Sequence, residues 1–129
     1  MRIAIYSRGI ENSQHQDFKL LLDELDKYGV EPVFYQDFFN QFYSSLQLKK
    51  YSTFNSSTDL DETISCIISL GGDGTLLDTV TLVKDTGTPV VGINYGRLGF
   101  LANIGKAEIQ EAVKALVNQS YVVDERTLI

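Results

Sequence analysis

Cysteine, proline, histidine and tryptophan are scarce in this chain: one, two, one and none in 129 residues. The single cysteine, Cys66, has no partner for an internal disulfide and no neighbouring ligands for a metal. It lies inside an apolar run, where a small buried hydrophobe is the expected role, and its isolation points to a reducing compartment. The single histidine, His15, falls in the polar first turn of a helix and is assigned no role. Basic residues form no run, and the net charge is −6. That balance speaks against nucleic acid, whose phosphates demand clustered Lys and Arg. No stretch approaches the roughly 20 apolar residues of a membrane span. The chain opens directly on a strand pattern with no leader signature, so a cytoplasmic protein without a membrane partner is expected. Repeats and low-complexity tracts are also missing. What remains is an ordinary globular composition, 43% apolar and 22% charged, long enough for one domain with a real core.

The chain is organised around Ile64–Val80. Ile64, Cys66, Ile67, Ile68 and Leu70 form a short apolar run, as expected of a strand covered on both faces. Gly71, Gly72 and Gly74 then strip the Cβ atoms from around Asp73, which frees the backbone for unusual dihedrals and close ligand approach. Thr75 is a good N-cap, and Asp78 three residues later completes a Thr-x-x-Asp capping pattern. Leu76, Leu77, Val80 and Val83 follow at helical spacing. Free amides at a helix start attract anions, so phosphate is the natural guest of such a turn. Asp73 would repel phosphate, and a carboxylate there needs a compensating task. It could take a proton from an attacking hydroxyl or hold Mg²⁺ against the phosphates. The competing account is a tight turn whose aspartate bonds its own backbone.

The flanking segments fit a parallel α/β domain. Residues 2–7 read as a first strand, with Arg8 and Gly9 at its carboxyl end. There, a solvated loop arginine is the expected reading of Arg8 and a phosphate contact the alternative. Ser13 caps a helix carrying Phe18, Leu21, Leu22 and Leu25, which Gly29 ends. Residues 31–35 read as a short strand with Pro32 at its start, suiting an edge position or a strand beginning. Asp37 caps a helix bearing Phe38, Phe39, Phe42, Tyr43 and Leu46, whose aromatic stripe is expected in the core. Residues 51–63 turn polar without a period and read as a mobile loop. Their carboxylates, Asp59, Asp61 and Glu62, match no metal-ligand spacing, and no protein metal site is expected. After a turn at residues 85–89, Val90, Val91 and Ile93 make the next strand, with Asn94 at its carboxyl end. Asn94 suits a ribose or phosphate, or simply a turn. Residues 106–118 form an amphipathic helix with Ile109, Ala112, Val113 and Leu116 on one face. Tyr121–Val123 begin one more strand. The expected fold is a three-layer α/β/α domain with a mainly parallel sheet, Rossmann-like or phosphofructokinase-like.

Gly71-Gly72-Asp73-Gly74-Thr75 resembles the signature of the kinase superfamily that joins NAD kinases, diacylglycerol-type lipid kinases and phosphofructokinases. The second stretch, Val91-Gly-Ile-Asn-Tyr-Gly-Arg-Leu-Gly-Phe-Leu-Ala102, is similar to the NAD kinase pattern, in which a strand ending in Gly-x-Asn runs into Gly-x-Leu-Gly-Phe-Leu. The ending, residues 124–129, resembles that family's crossing into a second domain. The resemblance implies that residues 1–129 are an amino-terminal α/β domain whose carboxy-terminal, β-rich partner domain is absent, so this chain alone is expected to be inactive. The family makes NADP by moving the γ-phosphoryl of ATP, with Mg²⁺, to the 2′-hydroxyl of the adenosine ribose of NAD. The resemblance assigns Asp73 the general base and places Asp73, Gly74, Leu77 and Phe100 at NAD. Gly71, Gly72, Gly74, Thr75 and Asn94 fall to phosphate and ATP, and a homo-oligomer is implied for the whole protein. Asp78 departs from the pattern, because several members carry a basic residue near there. A diacylglycerol-type lipid kinase shares the glycine–aspartate motif, but the Gly96–Leu101 stretch and the want of a basic or amphipathic membrane-facing segment point away from it. A nucleotide-binding module without catalysis is the non-enzyme alternative.

Overall fold

Strands buried on both faces alternate with helices that bury one stripe, and the described residues contain five strands and four α-helices. They are β1 (Arg2–Tyr6), α1 (His15–Lys27), β2 (Glu31–Tyr35), α2 (Gln36–Phe42), β3 (Ser52–Phe54), β4 (Ile64–Leu70), α3 (Asp73–Leu82), β5 (Val90–Ile93) and α4 (Lys106–Val117). The structure is a computed structural model that describes residues 1–9, 15–42, 51–83, 86–93 and 106–118. The expectations for Ser13, Tyr43, Leu46, Asn94, Phe100 and a strand at Tyr121–Val123 lie outside the described residues, as do the side chains of His15, Phe42, Asp73 and Ile109.

The five strands form one sheet in the order β3-β2-β1-β4-β5. All four pairings are parallel, from Val33 against Ser52 at one edge to Leu70 against Ile93 at the other. Alternation sends side chains to two cores. Ile3, Ile5, Phe34, Cys66, Ile68, Leu70, Val91 and Ile93 face the helices α1, α2 and α4, meeting Phe18, Leu21, Leu25, Phe38, Val113 and Leu116. Ala4, Val33, Ile67 and Val90 face the other way, toward Leu76, Leu82 and Val83 at α3 and toward Phe54 and Leu60. Helices therefore cover both faces, the three-layer arrangement of doubly wound α/β domains. Ile64 shares the α3 face with Ile67 because the β1–β4 register slips between Arg2 and Ile3. Arg2 pairs with Ile64 and Ile3 with Cys66, leaving Ser65 as an extra residue, a β-bulge.

Two expectations are corrected here and one alternative is settled. Residues 51–63 are not wholly loop, because Ser52–Phe54 adds an edge strand beside β2 and buries Phe54. Their carboxylates act locally: Asp59 accepts from the amides of Asn55 and Ser56, and Asp61 from the Thr63 amide. β2 is an interior strand, so Pro32 marks a strand beginning and not an edge. Asp37 is not a cap, because α2 begins at Gln36, immediately after β2, and Asp37 lies in its first turn.

Phe34 is fully buried and meets Phe18, Phe38, Phe39 and Tyr51, with ring centroids 5.2–6.4 Å away. Truncating Phe34 would open a cavity at the centre of this cluster. Phe34→Ala is expected to cost about 3–5 kcal/mol in urea unfolding. A loss under about 1 kcal/mol would contradict this packing.

Candidate functional site

Strand order reverses at β1. The chain moves outward from β1 to β2 and β3, then returns to place β4 on β1's other side. In open parallel sheets the loops on either side of such a reversal diverge, and the crevice between them, outside the carboxyl ends of the strands, is where ligands bind. Two segments meet there: Ser7-Arg8-Gly9 leaving β1, and Gly71–Gly74 leaving β4.

The turn after β4 is tight. The Gly71 amide donates to the Ile93 carbonyl at 3.0 Å, which ties the end of β4 to β5. Gly71 has φ +148°, a backbone state L side chains rarely adopt, and a Cβ there would stand 2.6 Å from Thr75 Oγ1. The first bond of α3 runs from the Leu76 amide to the Gly72 carbonyl at 3.1 Å. The amides of Gly72, Asp73, Gly74 and Thr75 thus precede the helical ladder, at the positive end of the helix. Asp73 is the first residue of α3.

Thr75 is not the N-cap. That position belongs to Gly72, with extended backbone, and Thr75 lies inside the first turn, buried and folded beneath Gly71. Its hydroxyl therefore supports the turn, and its contribution to the crevice is its amide. One helical turn further on, the buried Thr79 hydroxyl donates to Ser69 Oγ at 2.9 Å and lies 2.8 Å from the Thr75 carbonyl. This bond fastens α3 to β4 under the turn. Leu77 points outward from the same helix and is 67% exposed, although it is apolar.

Asp78 does not close a capping box either. One of its oxygens, Oδ2, accepts from Arg8 Nε at 2.6 Å and from the Tyr6 hydroxyl at 3.1 Å. Arg8 is consequently no free loop arginine: its Nη2 also donates to the Gly74 carbonyl at 3.3 Å. The Arg8 hydrogen bond holds the Asp78 carboxyl below the usual carboxylate range, and Asp78 in turn raises the guanidinium. The Tyr6 phenol is pushed up to about 12, first by burial and then by its bond to the charged Asp78. Sequence reasoning left this trio apart, since Tyr6 and Asp78 stand 72 positions apart in the chain. Its one visible signal was a cation placed directly after β1.

The fold and this crevice define a doubly wound α/β domain with a glycine turn at its switch point, the architecture that presents phosphate-bearing ligands to helix amides. The chain belongs to the ATP-NAD kinase N-terminal domain family, whose model matches residues 10–121. It is 40% identical to the NAD kinase of Flavobacterium johnsoniae over 130 aligned positions, covering all of this chain and 44% of that protein. Against the NAD kinase of Bacteroides fragilis (strain YCH46) it is 32% identical with the same coverage. With the NAD kinase of Cytophaga hutchinsonii it shares 47% identity over 79 residues, 61% of this chain and 27% of that protein. The chain thus spans under half the length of these curated relatives.

Tyr6 offers a check of its buried, hydrogen-bonded setting. A phenol whose folded pKa is raised contributes stability that is present below the unfolded pKa, near 10, and lost as pH climbs toward about 12. The difference in unfolding free energy between wild type and Tyr6→Phe should therefore be full below about pH 10 and shrink above it. A difference that stays constant through the alkaline range would mean that burial and the bond to Asp78 do not raise the Tyr6 phenol.

Proposed function

We propose that this chain is the amino-terminal domain, residues 1–129, of an NAD kinase, the remainder of which forms a β-rich domain that completes the NAD pocket. The reaction moves the γ-phosphoryl of ATP to the 2′-hydroxyl of the NAD adenosine ribose. Asp73 is the general base. It takes the hydroxyl proton as the 2′-oxygen bonds to the γ-phosphorus and the bond from phosphorus to the β-phosphate oxygen breaks, releasing ADP and NADP. The observation that carries this reading is the Gly71–Thr75 turn, with Asp73 at the first position of α3, at the switch point of a domain matching the NAD kinase family.

The remaining residues take their roles from the family resemblance, and for Gly71–Leu77 the positions in the turn and on α3 support it. The amides of Gly72, Gly74 and Thr75 receive phosphate oxygens, and Gly71 gives the turn its shape. Gly74, without a side chain, lets the ribose approach. Leu77, exposed on α3, packs against the adenosine, and an exposed apolar side chain beside a crevice suits that task. Phe100 lines the NAD site, and Asn94, following β5, contacts phosphate. On the family resemblance we assign Mg²⁺ to the nucleotide, as part of the substrate. The buried, single Cys66 is consistent with a cytoplasmic enzyme. Among the described residues no helix is long and apolar enough to cross a membrane. We place the whole protein among homo-oligomers on the family resemblance.

The test is NADP formation from NAD and ATP-Mg²⁺ by a protein of the relatives' length that contains this chain. Asp73→Asn is expected to lower kcat by about 10²–10⁴-fold, the range of a positioned general base. Wild-type turnover in Asp73→Asn would remove Asp73 from the proton transfer.

A further inference from the structure

Arg8 crosses the crevice from β1 to α3, and its guanidinium rests on the motif itself. Nε donates to Asp78 and Nη2 to the Gly74 carbonyl. A Cβ built on Gly74 would stand 3.0 Å from Nη1, so the planar head lies against the bare Cα face of that glycine. A guanidinium has five donor hydrogens in a rigid fork. One hydrogen on Nε goes to Asp78 and one on Nη2 to the Gly74 carbonyl. The side chain is 60% exposed. An ion pair so exposed contributes little to stability. What the contacts do achieve is orientation: a carboxylate anchored by Tyr6 on one side fixes a fork of donors beside the amides of the first turn of α3.

Charge gives that orientation a purpose. The chain carries a net −6, and Asp73 opens the same helix at which phosphate is to be received. A polyphosphate arriving there needs a positive charge to offset the aspartate, and an arginine fork matches phosphate oxygens two at a time. We propose that Arg8 is a phosphate-binding residue of this site, and that Asp78 and Tyr6 are positioning residues that hold its guanidinium over Gly74. The ligand chemistry is a phosphoric anhydride, which ATP and NAD both carry. The inference rests on the reading of the Gly71–Thr75 turn as a nucleotide site.

The experiment has two arms, both in a protein of the relatives' length that contains this chain. In the first, inorganic tripolyphosphate is titrated calorimetrically into wild type, Arg8→Gln, Arg8→Lys, Asp78→Asn and the double variant Arg8→Gln/Asp78→Asn. Loss of charge-assisted bonds should weaken binding about 10–100-fold in Arg8→Gln, with Arg8→Lys losing less. Asp78→Asn should weaken binding alone but add nothing in the Arg8→Gln background, because it acts through Arg8. In the second arm, KM for ATP and for NAD are measured separately. A rise confined to ATP places Arg8 on the donor, and one confined to NAD places it on the acceptor. If wild type forms no NADP yet Arg8→Gln still loses tripolyphosphate, the kinase reading fails and Arg8 stands. Equal tripolyphosphate binding by wild type and Arg8→Gln, or none by wild type, overturns the proposal whatever the kinase assay gives. Thermal unfolding of each variant confirms the fold, which an exposed side chain should leave intact.

Discussion

β1 and β4 run side by side and parallel, from Arg2 against Ile64 to Tyr6 against Ser69. This pairing brings together stretches of chain some sixty residues apart and puts the loops that follow both strands at one edge of the sheet. Both strands are buried on both faces, so neither can slide without moving a row of side chains from one core to the other. A slip of one residue would exchange Ile3, Ile5, Ile68 and Leu70 with Ala4 and Ile67. Where the chain leaves β1 relative to where it leaves β4 is therefore set by packing far below the crevice, and Asp78 then orients the Arg8 side chain.

α3 completes the arrangement from the other direction. Its first turn carries the amides and Asp73, its second carries Asp78 and Thr79. Thr79 reaches inward to Ser69 and Asp78 outward to Arg8 and Tyr6. The helix is thus fastened to β4 on its buried side and to β1 on its exposed side. A glycine turn is flexible as a peptide; here the buried Thr79–Ser69 bond fastens its helix, and the Arg8–Asp78 contact orients the guanidinium on its exposed side. Preorganised donors of this kind are what a site for phosphoryl transfer requires, since positioning and charge carry most of that chemistry.

Much of this could be seen in the sequence. The buried strands β1, β2, β4 and β5 announced themselves as apolar β-branched runs, and α1 and α4 by their periodic stripes. The glycine turn was legible because three glycines around one aspartate between a strand and a helix have few structural reasons to exist. β3 escaped because it is three residues long, lies at an edge and buries only Phe54, which is too little for a period to show. The role of Thr75 was misread because capping preference is a local rule, and here glycine already satisfies the extended backbone at position 72 while Thr75 is needed beneath Gly71. Asp78 was misread for the complementary reason. Its partners come from β1, and nothing within the helix sequence reveals them.

The central claim is that the carboxyl ends of β1 and β4 form the receptor for a nucleotide's phosphates. Amide resonances of an isotopically labelled protein of the relatives' length, followed as ATP-Mg²⁺ is added, report on this directly. Within residues 1–129 the largest shifts are expected on Gly71, Gly72, Gly74, Thr75 and Arg8, with β3 and the outer face of α1 little affected. Shifts centred on β2 and β3, or none at Gly71–Thr75 under saturating nucleotide, would contradict that claim.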